Sequence, residues 1–232
     1  MRVLVSPRAE VGLGTLATDV ADRLAGPGGT VASMRSAGIG NLSRRLSEAE
    51  VVLLREAVLG ERPERWVAAE KPGEGVVGYV CVGRPAAARE GARAAGAGAL
   101  IAVTDHAGLT WRSPLIGPND DSLGPRFPSM TGVYAPEVVS ARLVGRAVES
   151  CENAPGKSIP SEGMIVVPGI VAGVFDDGRL SDHEREMVRL VGCSGVSVEL
   201  APVVIVMAHL GLRVAAAVLL HSEGREIPGG GS

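Results

Sequence analysis

Aromatic side chains are scarce: two Trp, two Tyr and two Phe in 232 residues. Aromatic anchors therefore cannot dominate the interior, and Val, Leu, Ile and Ala must fill it. The 32 Gly residues suit close backbone approaches. Cysteine is sparse as well. Cys81, Cys151 and Cys193 are scattered and odd in number. That argues against a disulfide frame and reads as reduced thiols in a cytoplasmic protein. No apolar run reaches the ~18 residues needed to cross a bilayer. The opening MRVLVSPRAE lacks the pattern of a signal peptide. Net charge is −3 and no basic stripe occurs, which argues against nucleic acid as a partner. The four His and three Cys show neither C-x-x-C nor H-x-x-x-H spacing, so no metal site is expected. Gly192-Cys193-Ser194-Gly195 is not a G-x-S-x-G elbow, and no Walker loop is present.

What is present is an α/β pattern. Short apolar runs at 2–5, 51–54, 76–82, 99–103, 164–167, 195–198 and 214–220 lack alternation, as strands buried on both faces do. Helical stretches are expected at 15–24, 61–70, 85–95, 136–150, 181–191 and 200–210. Ser181 with Glu184 forms a capping-box signature. Pro202 suits the first turn of a nearly all-apolar helix, and Gly211 suits its C-terminal end. The 46% hydrophobic content supports a single domain over 1–226, and the Gly-rich tail 227–232 is expected to be disordered.

Two irregular stretches, 104–135 and 153–163, interrupt this pattern. Loops of that length inside a compact domain are usually functional or form an interface. The first contains Thr104-Asp105-His106, then Ser113-Pro114-Leu115-Ile116-Gly117-Pro118-Asn119-Asp120, then Leu123-Gly124-Pro125-Arg126-Phe127-Pro128-Ser129-Met130. It resembles the TDHINLTG…NPL.GPND.RFGPRFP.M string of the trimeric purine nucleoside phosphorylases. A second resemblance runs from Gly195 through Glu199 and His209 to Val214, against VGMSTVPEVIVARHxGLRV. Weaker resemblances cover 11–17 and 55–63.

The resemblance implies a three-layer α/β/α fold around a central mixed sheet that partly closes into a barrel. It also implies a homotrimer, a small nucleoside-like ligand, no cofactor, and phosphate as a co-substrate. Gly12 and Gly14 stand where the family has its phosphate loop, although Val11 replaces the family serine. The same residues read as a weak dinucleotide fingerprint lacking its later acidic residue, or as a plain glycine turn. Arg55 takes the place of a phosphate-binding Arg, its alternative being a surface ion-pair partner, whereas Ala57 and Leu59 replace a His and a sugar-contacting Tyr. Arg84, at a strand end, suits an oxyanion or a solvated helix start. Leu123 holds the place of a Phe that the family inserts from a neighbouring subunit.

Val198-Glu199 replaces the ribose-contacting Met-Ser of the trimeric family and resembles the Met-Glu of its hexameric relatives. Glu199 is thus a candidate sugar-binding carboxylate, at a strand-to-helix junction whose dipole favours the charge. Its alternative is a simple helix-start charge. The family's purine-recognising Glu falls at Leu180, with Asp177 nearby as a substitute or as a turn-forming residue. His221, Ser222 and Glu223 lie where the family stabilises the purine N7, and His221 or Glu223 is the candidate proton donor. His209, His106 and His183 read as structural.

Two functions follow from these residues. One is a divergent phosphorylase-like enzyme that cleaves the N-glycosidic bond of a ribosyl compound, with phosphate or water as acceptor and ordinary 6-oxopurine recognition in doubt. The other keeps the fold but loses phosphorolysis, for a different reaction in specialised metabolite biosynthesis or for non-catalytic binding.

Overall fold

In a computed structural model the described residues are 1–36, 75–86, 99–110, 113–117, 121, 124–143 and 165–221. They form seven strands in the order β2-β1-β3-β6-β5-β4-β7, with β7 returning to β3 to close a five-stranded mixed barrel. The strands are β1 (Arg2–Val5), β2 (Thr30–Ser33), β3 (Val76–Pro85), β4 (Leu100–Gly108), β5 (Val166–Gly173), β6 (Cys193–Ser197) and β7 (Arg213–Leu220). The helices are α1 (Pro7–Leu13), α2 (Thr15–Ala25), α3 (Pro136–Leu143), α4 (Asp182–Leu190) and α5 (Leu200–His209). The three-layer α/β/α expectation holds.

Successive residues of one strand enter opposite cores. Tyr79, Cys81, Ile101, Val103, Ala216 and Val218 pack with Leu200, Val203 and Met207 of α5. Val80, Val82, Leu100, Ala102, Ala215 and Ala217 pack with Ala17, Val20, Leu24 and Val139 of α2 and α3. Both faces are apolar, so the period of two is invisible in the sequence.

β3 carries the architecture. It pairs in parallel with β1 at Val3↔Gly78 and with β7 along Val76↔Arg213 to Gly83↔Leu220. Its last residues then meet β6 antiparallel at Arg84↔Val196 and Pro85↔Gly195. Gly83 permits this crossing, because a Cβ there would lie 2.5 Å from the Val196 carbonyl oxygen. Arg142 of α3 donates to the Leu24 carbonyl at 2.7 Å and also to Ala25, capping the end of α2.

The structure departs from the sequence expectations in several places. β4 continues to Gly108 and β5 to Gly173, because each supplies the other's ladder from Leu100↔Val166 to Gly108↔Gly173. The polar run Thr104–His106 hides that continuation, and a register shift between Val103 and Asp105 accommodates it. Pro85 ends a strand where a helix start was expected, since Arg84 and Pro85 are held by β6. β2 and α1 were not anticipated. The expected strand at 51–54, the helix at 61–70, and residues 87–95, 144–150 and 227–232 lie outside the described residues.

Candidate functional site

The site begins where β1 gives way to α1. The Ser6 N–H donates to the Val80 carbonyl at 2.9 Å, so the chain leaves the sheet beside β3. Ser6 is the N-cap of α1: its Oγ accepts from the Ala9 N–H at 3.1 Å, and Pro7 occupies the first helical position. This turn points Arg8 across the strand ends.

Glu199 approaches from the other side. Ser197 at the end of β6 donates from Oγ to the Val82 carbonyl at 2.8 Å and accepts from the Glu199 N–H at 3.3 Å. The Tyr79 hydroxyl donates to the Glu199 carbonyl at 3.4 Å. The backbone is thus clamped against β3. Glu199 occupies the N-cap of α5 without capping it; its Oε1 instead accepts from the Arg8 N–H at 3.3 Å. The residue is only 2% exposed. Burial raises its carboxyl pKa to about 7, against the opposing pull of Ser6 and Arg8, and the nearby Asp177 pushes the same way as burial. The expected stabilisation of a carboxylate by a helix dipole is outweighed by desolvation.

Asp177, in the turn after β5, is 3% exposed. Arg8 Nη2 donates to its Oδ1 at 3.0 Å, and Arg84 Nε lies 3.9 Å from the same oxygen. Arg8 thereby touches both carboxyl groups, one through its backbone and one through its side chain. Among the described residues, Asp177 Oδ2 and Glu199 Oε2 are buried side-chain oxygens without a hydrogen-bond partner. Cys81 lies beneath, its Sγ 3.9 Å from Ser197 Oγ. Burial, then the charge of Glu199, push its thiol far up, so it stays protonated.

His221 follows β7 directly. Its N–H donates to the Gly83 carbonyl at 3.0 Å, which sets it beside Arg84 at the same end of the barrel. It is mostly buried. The remaining described histidines have other partners or positions. His209 ends α5, one turn later than a mid-helix position, and its Nδ1 lies 2.9 Å from the Pro125 carbonyl. A Cβ on Gly124 would sit 1.7 Å from the His209 carbonyl oxygen, so this contact requires glycine. His106 Nδ1 lies 2.9 Å from the Tyr134 hydroxyl, and burial lowers its pKa against the opposing effect of Asp105.

Glu199, Asp177 and Arg84 therefore come together, with His221 at the adjoining strand end. Gly12 and Gly14 do not form the expected loop between strand and helix. Gly12 lies inside α1, and Gly14, with φ +45°, is the hinge between α1 and α2. The strand-to-helix turn is made six residues before Gly12, at Ser6, because Ser-Pro supplies both a cap and a preset φ. Val198 is buried in a cluster with Val174, Val188 and Cys193 beneath α4. Arg55, Leu123, Ser222 and Glu223 lie outside the described residues. Sequence reasoning missed Ser6, Arg8 and Tyr79. For the first two the signal was available, since Ser6-Pro7 follows an apolar run as a cap and first helical residue should. Among the described residues no group of His, Cys, Asp and Glu is placed to hold a metal ion, and no helix is long and apolar enough to cross a membrane.

Comparison with known proteins agrees with this architecture. The sequence model of the phosphorylase superfamily matches residues 92–228, more than half of the chain. Purine nucleoside phosphorylase 1 of Bacillus subtilis is 30% identical over 118 residues, covering 51% of this chain and 39% of that protein. Purine nucleoside phosphorylase 1 of Geobacillus stearothermophilus is 32% identical over 117 residues, covering 50% and 38%. The matched stretch thus spans about two fifths of these curated relatives. Two solved structures from Schistosoma mansoni share the fold. Isoform 2 of purine nucleoside phosphorylase, in complex with cytosine and ribose-1-phosphate, has a TM-score of 0.60 at 17% identity, covering 94% of this chain and 75% of that one. A purine nucleoside phosphorylase with a monocyclic inhibitor has a TM-score of 0.57 at 19% identity, covering 94% and 80%.

Proposed function

The chain belongs to the phosphorylase superfamily, and from that premise we propose that it cleaves the N-glycosidic bond of a ribosyl compound. The observation that carries this reading is Glu199, a buried carboxyl at the ends of the central strands with one oxygen unpartnered. In the reading, Glu199 accepts hydrogen bonds from sugar hydroxyls. As the bond to the base breaks, the sugar gains positive charge, and the buried carboxylates Glu199 and Asp177 stabilise it electrostatically. The electron pair of the bond leaves on the base nitrogen, which takes a proton from His221 or Glu223. Asp177 stands nearest to the role of base recognition, because Leu180 carries no polar group. Recognition of an ordinary 6-oxopurine is not part of the proposal. A homotrimer in the cytoplasm completes the reading by analogy with the family.

The test is base release from inosine, guanosine, adenosine and methylthioadenosine, followed by chromatography with and without phosphate. Release that falls by about 100-fold in Glu199→Gln and His221→Ala, with the fold intact, supports the assignment. Unchanged release removes both residues from the mechanism. One observation favours a second reading, in which the fold serves another reaction or binding alone: Asp177 and Glu199 are almost wholly buried. Absence of release from every nucleoside would favour that reading.

A further inference from the structure

We propose that Arg8 is a positioning residue for this reaction: with two separate groups it holds one oxygen of Glu199 and one of Asp177, and so leaves the other oxygen of each carboxyl group to the ligand. The inference rests on the glycosidic reading above.

The backbone accounts for the first contact. N–H groups in the opening turn of a helix have no partner inside it. In α1, Pro7 has none to offer, Ala9 donates to Ser6 Oγ at 3.1 Å, and Glu10 donates to the Ser6 carbonyl at 3.1 Å. The Arg8 N–H turns to Glu199 Oε1 at 3.3 Å. The Ser6 cap and the preset φ of Pro7 fix the direction of that bond, so it locates the carboxyl group. The side chain makes the second contact. Arg8 Nη2 donates to Asp177 Oδ1 at 3.0 Å, where the Asp177 side chain is only 4% exposed. A charge-assisted bond of this kind is strong and directional. Glu199 Oε2 and Asp177 Oδ2 are buried and have no hydrogen-bond partner among the described residues. Arg8 therefore decides which oxygen of each carboxyl group meets a donor on the ligand.

Substitution separates the two contacts. Arg8→Ala removes the hold on Asp177 and the positive charge, but keeps the N–H to Glu199. Burial opposes the charge of Glu199, Ser6 and Arg8 favour it, and Asp177 opposes it. Tyr79 and Cys81 face the same residue from β3, and Ser197 from β6. Loss of the guanidinium leaves Glu199 harder to ionise. Arg8→Lys keeps the charge without the planar fork.

Two readouts on the full chain test this. One is the pH dependence of kcat/KM for base release. The other is carbon NMR of protein carrying labelled Glu, with the Glu199 signal identified by its loss in Glu199→Gln. The wild type is expected to lose activity as pH falls through about 7, where Glu199 takes up its proton. In Arg8→Ala both midpoints are expected to move to higher pH, and the plateau of kcat/KM to fall about 100-fold. Arg8→Lys is expected to return both midpoints to the wild-type position while recovering only part of the turnover. A folded Arg8→Ala protein with unmoved midpoints overturns the proposal, because a merely structural role lowers the amount of active protein without moving a titration. Should Arg8→Ala fail to fold, Arg8→Gln removes the charge, keeps a donor and decides by the same midpoints. A moved NMR midpoint with no release from any nucleoside overturns the glycosidic reading, and with it a role for Arg8 in turnover.

Discussion

Glu199 sits in a conflict between solvation and hydrogen bonding. Burial opposes its charge, while Ser6 and Arg8 favour it, and burial wins by enough to bring its pKa to about 7 from the usual 4.5. The groups facing it are Arg8 from α1, Tyr79 and Cys81 from β3, Asp177 from the turn after β5, and Ser197 from β6. A carboxyl whose folded pKa is raised holds its proton more tightly folded than unfolded. Its contribution to stability is full below pH 4.5 and is lost as pH rises towards 7, where the folded carboxyl finally ionises. The loss amounts to roughly 3 kcal/mol over that window. Glu199→Gln keeps the shape without the titration. Melting temperatures across this range are expected to fall with pH in the wild type more steeply than in the variant. Parallel curves would show that Glu199 is not the buried titrating group. Ser6 offers a separate test, since Ser6→Ala removes a helix cap and is expected to cost about 1 kcal/mol in denaturant unfolding. A cost near zero would mean that its bond to the Ala9 N–H is replaced without loss.

At the scale of elements, the crossing of β3 over β6 decides where the site forms. Gly83 lies at that crossing, with the Val196 carbonyl 2.5 Å from where a Cβ would be. Gly83→Ala must push β6 away, and with it Ser197 and the Glu199 backbone. Overpacking of this kind is expected to cost about 1–3 kcal/mol. Gly108, at the open end of β4, has nothing within 4 Å of a built Cβ, and Gly108→Ala is expected to stay within about 0.5 kcal/mol of wild type. Equal effects in the two variants would contradict the crossing as the constraint. The same elements show what the sequence could and could not reveal. The strand at 2–5, the helix expected at 15–24 and found at Thr15–Ala25, and the Ser181–Glu184 box are written in local chemistry. The extensions of β4 and β5 are not, because their backbone pairing depends on each other and not on their own residues. α1 is masked in the sequence by Gly12 and Gly14, which lie six and eight residues past its N-cap, Ser6. The pairing of Arg8 with Asp177 spans 169 positions, and no local pattern announces it.

For the whole molecule, closure of the barrel sets how stability is distributed. β7 is joined along its full length to residues 76–83 of β3, and the pair is buried on both faces, with α5 on one side and α2 and α3 on the other. Opening that seam exposes both cores at once, so no partial route releases its amide protons. β2 is different. Among the described residues it pairs with β1 alone, and its residues are exposed or only half-buried. Its detachment costs little buried apolar surface. Amide hydrogen exchange followed by mass spectrometry is therefore expected to show two classes. Peptides from β3 and β7 should exchange at the rate of global unfolding, and destabilising variants such as Gly83→Ala should accelerate them in step with the loss of global stability. Peptides covering 30–33 should exchange orders of magnitude faster and be indifferent to Gly83→Ala, since they open without the barrel. Exchange of β3 faster than β2 would mean that the barrel is not closed in solution. In that case the strand ends that gather Arg8, Arg84, Asp177 and Glu199 would not be held together, and the proposed chemistry would lose its scaffold.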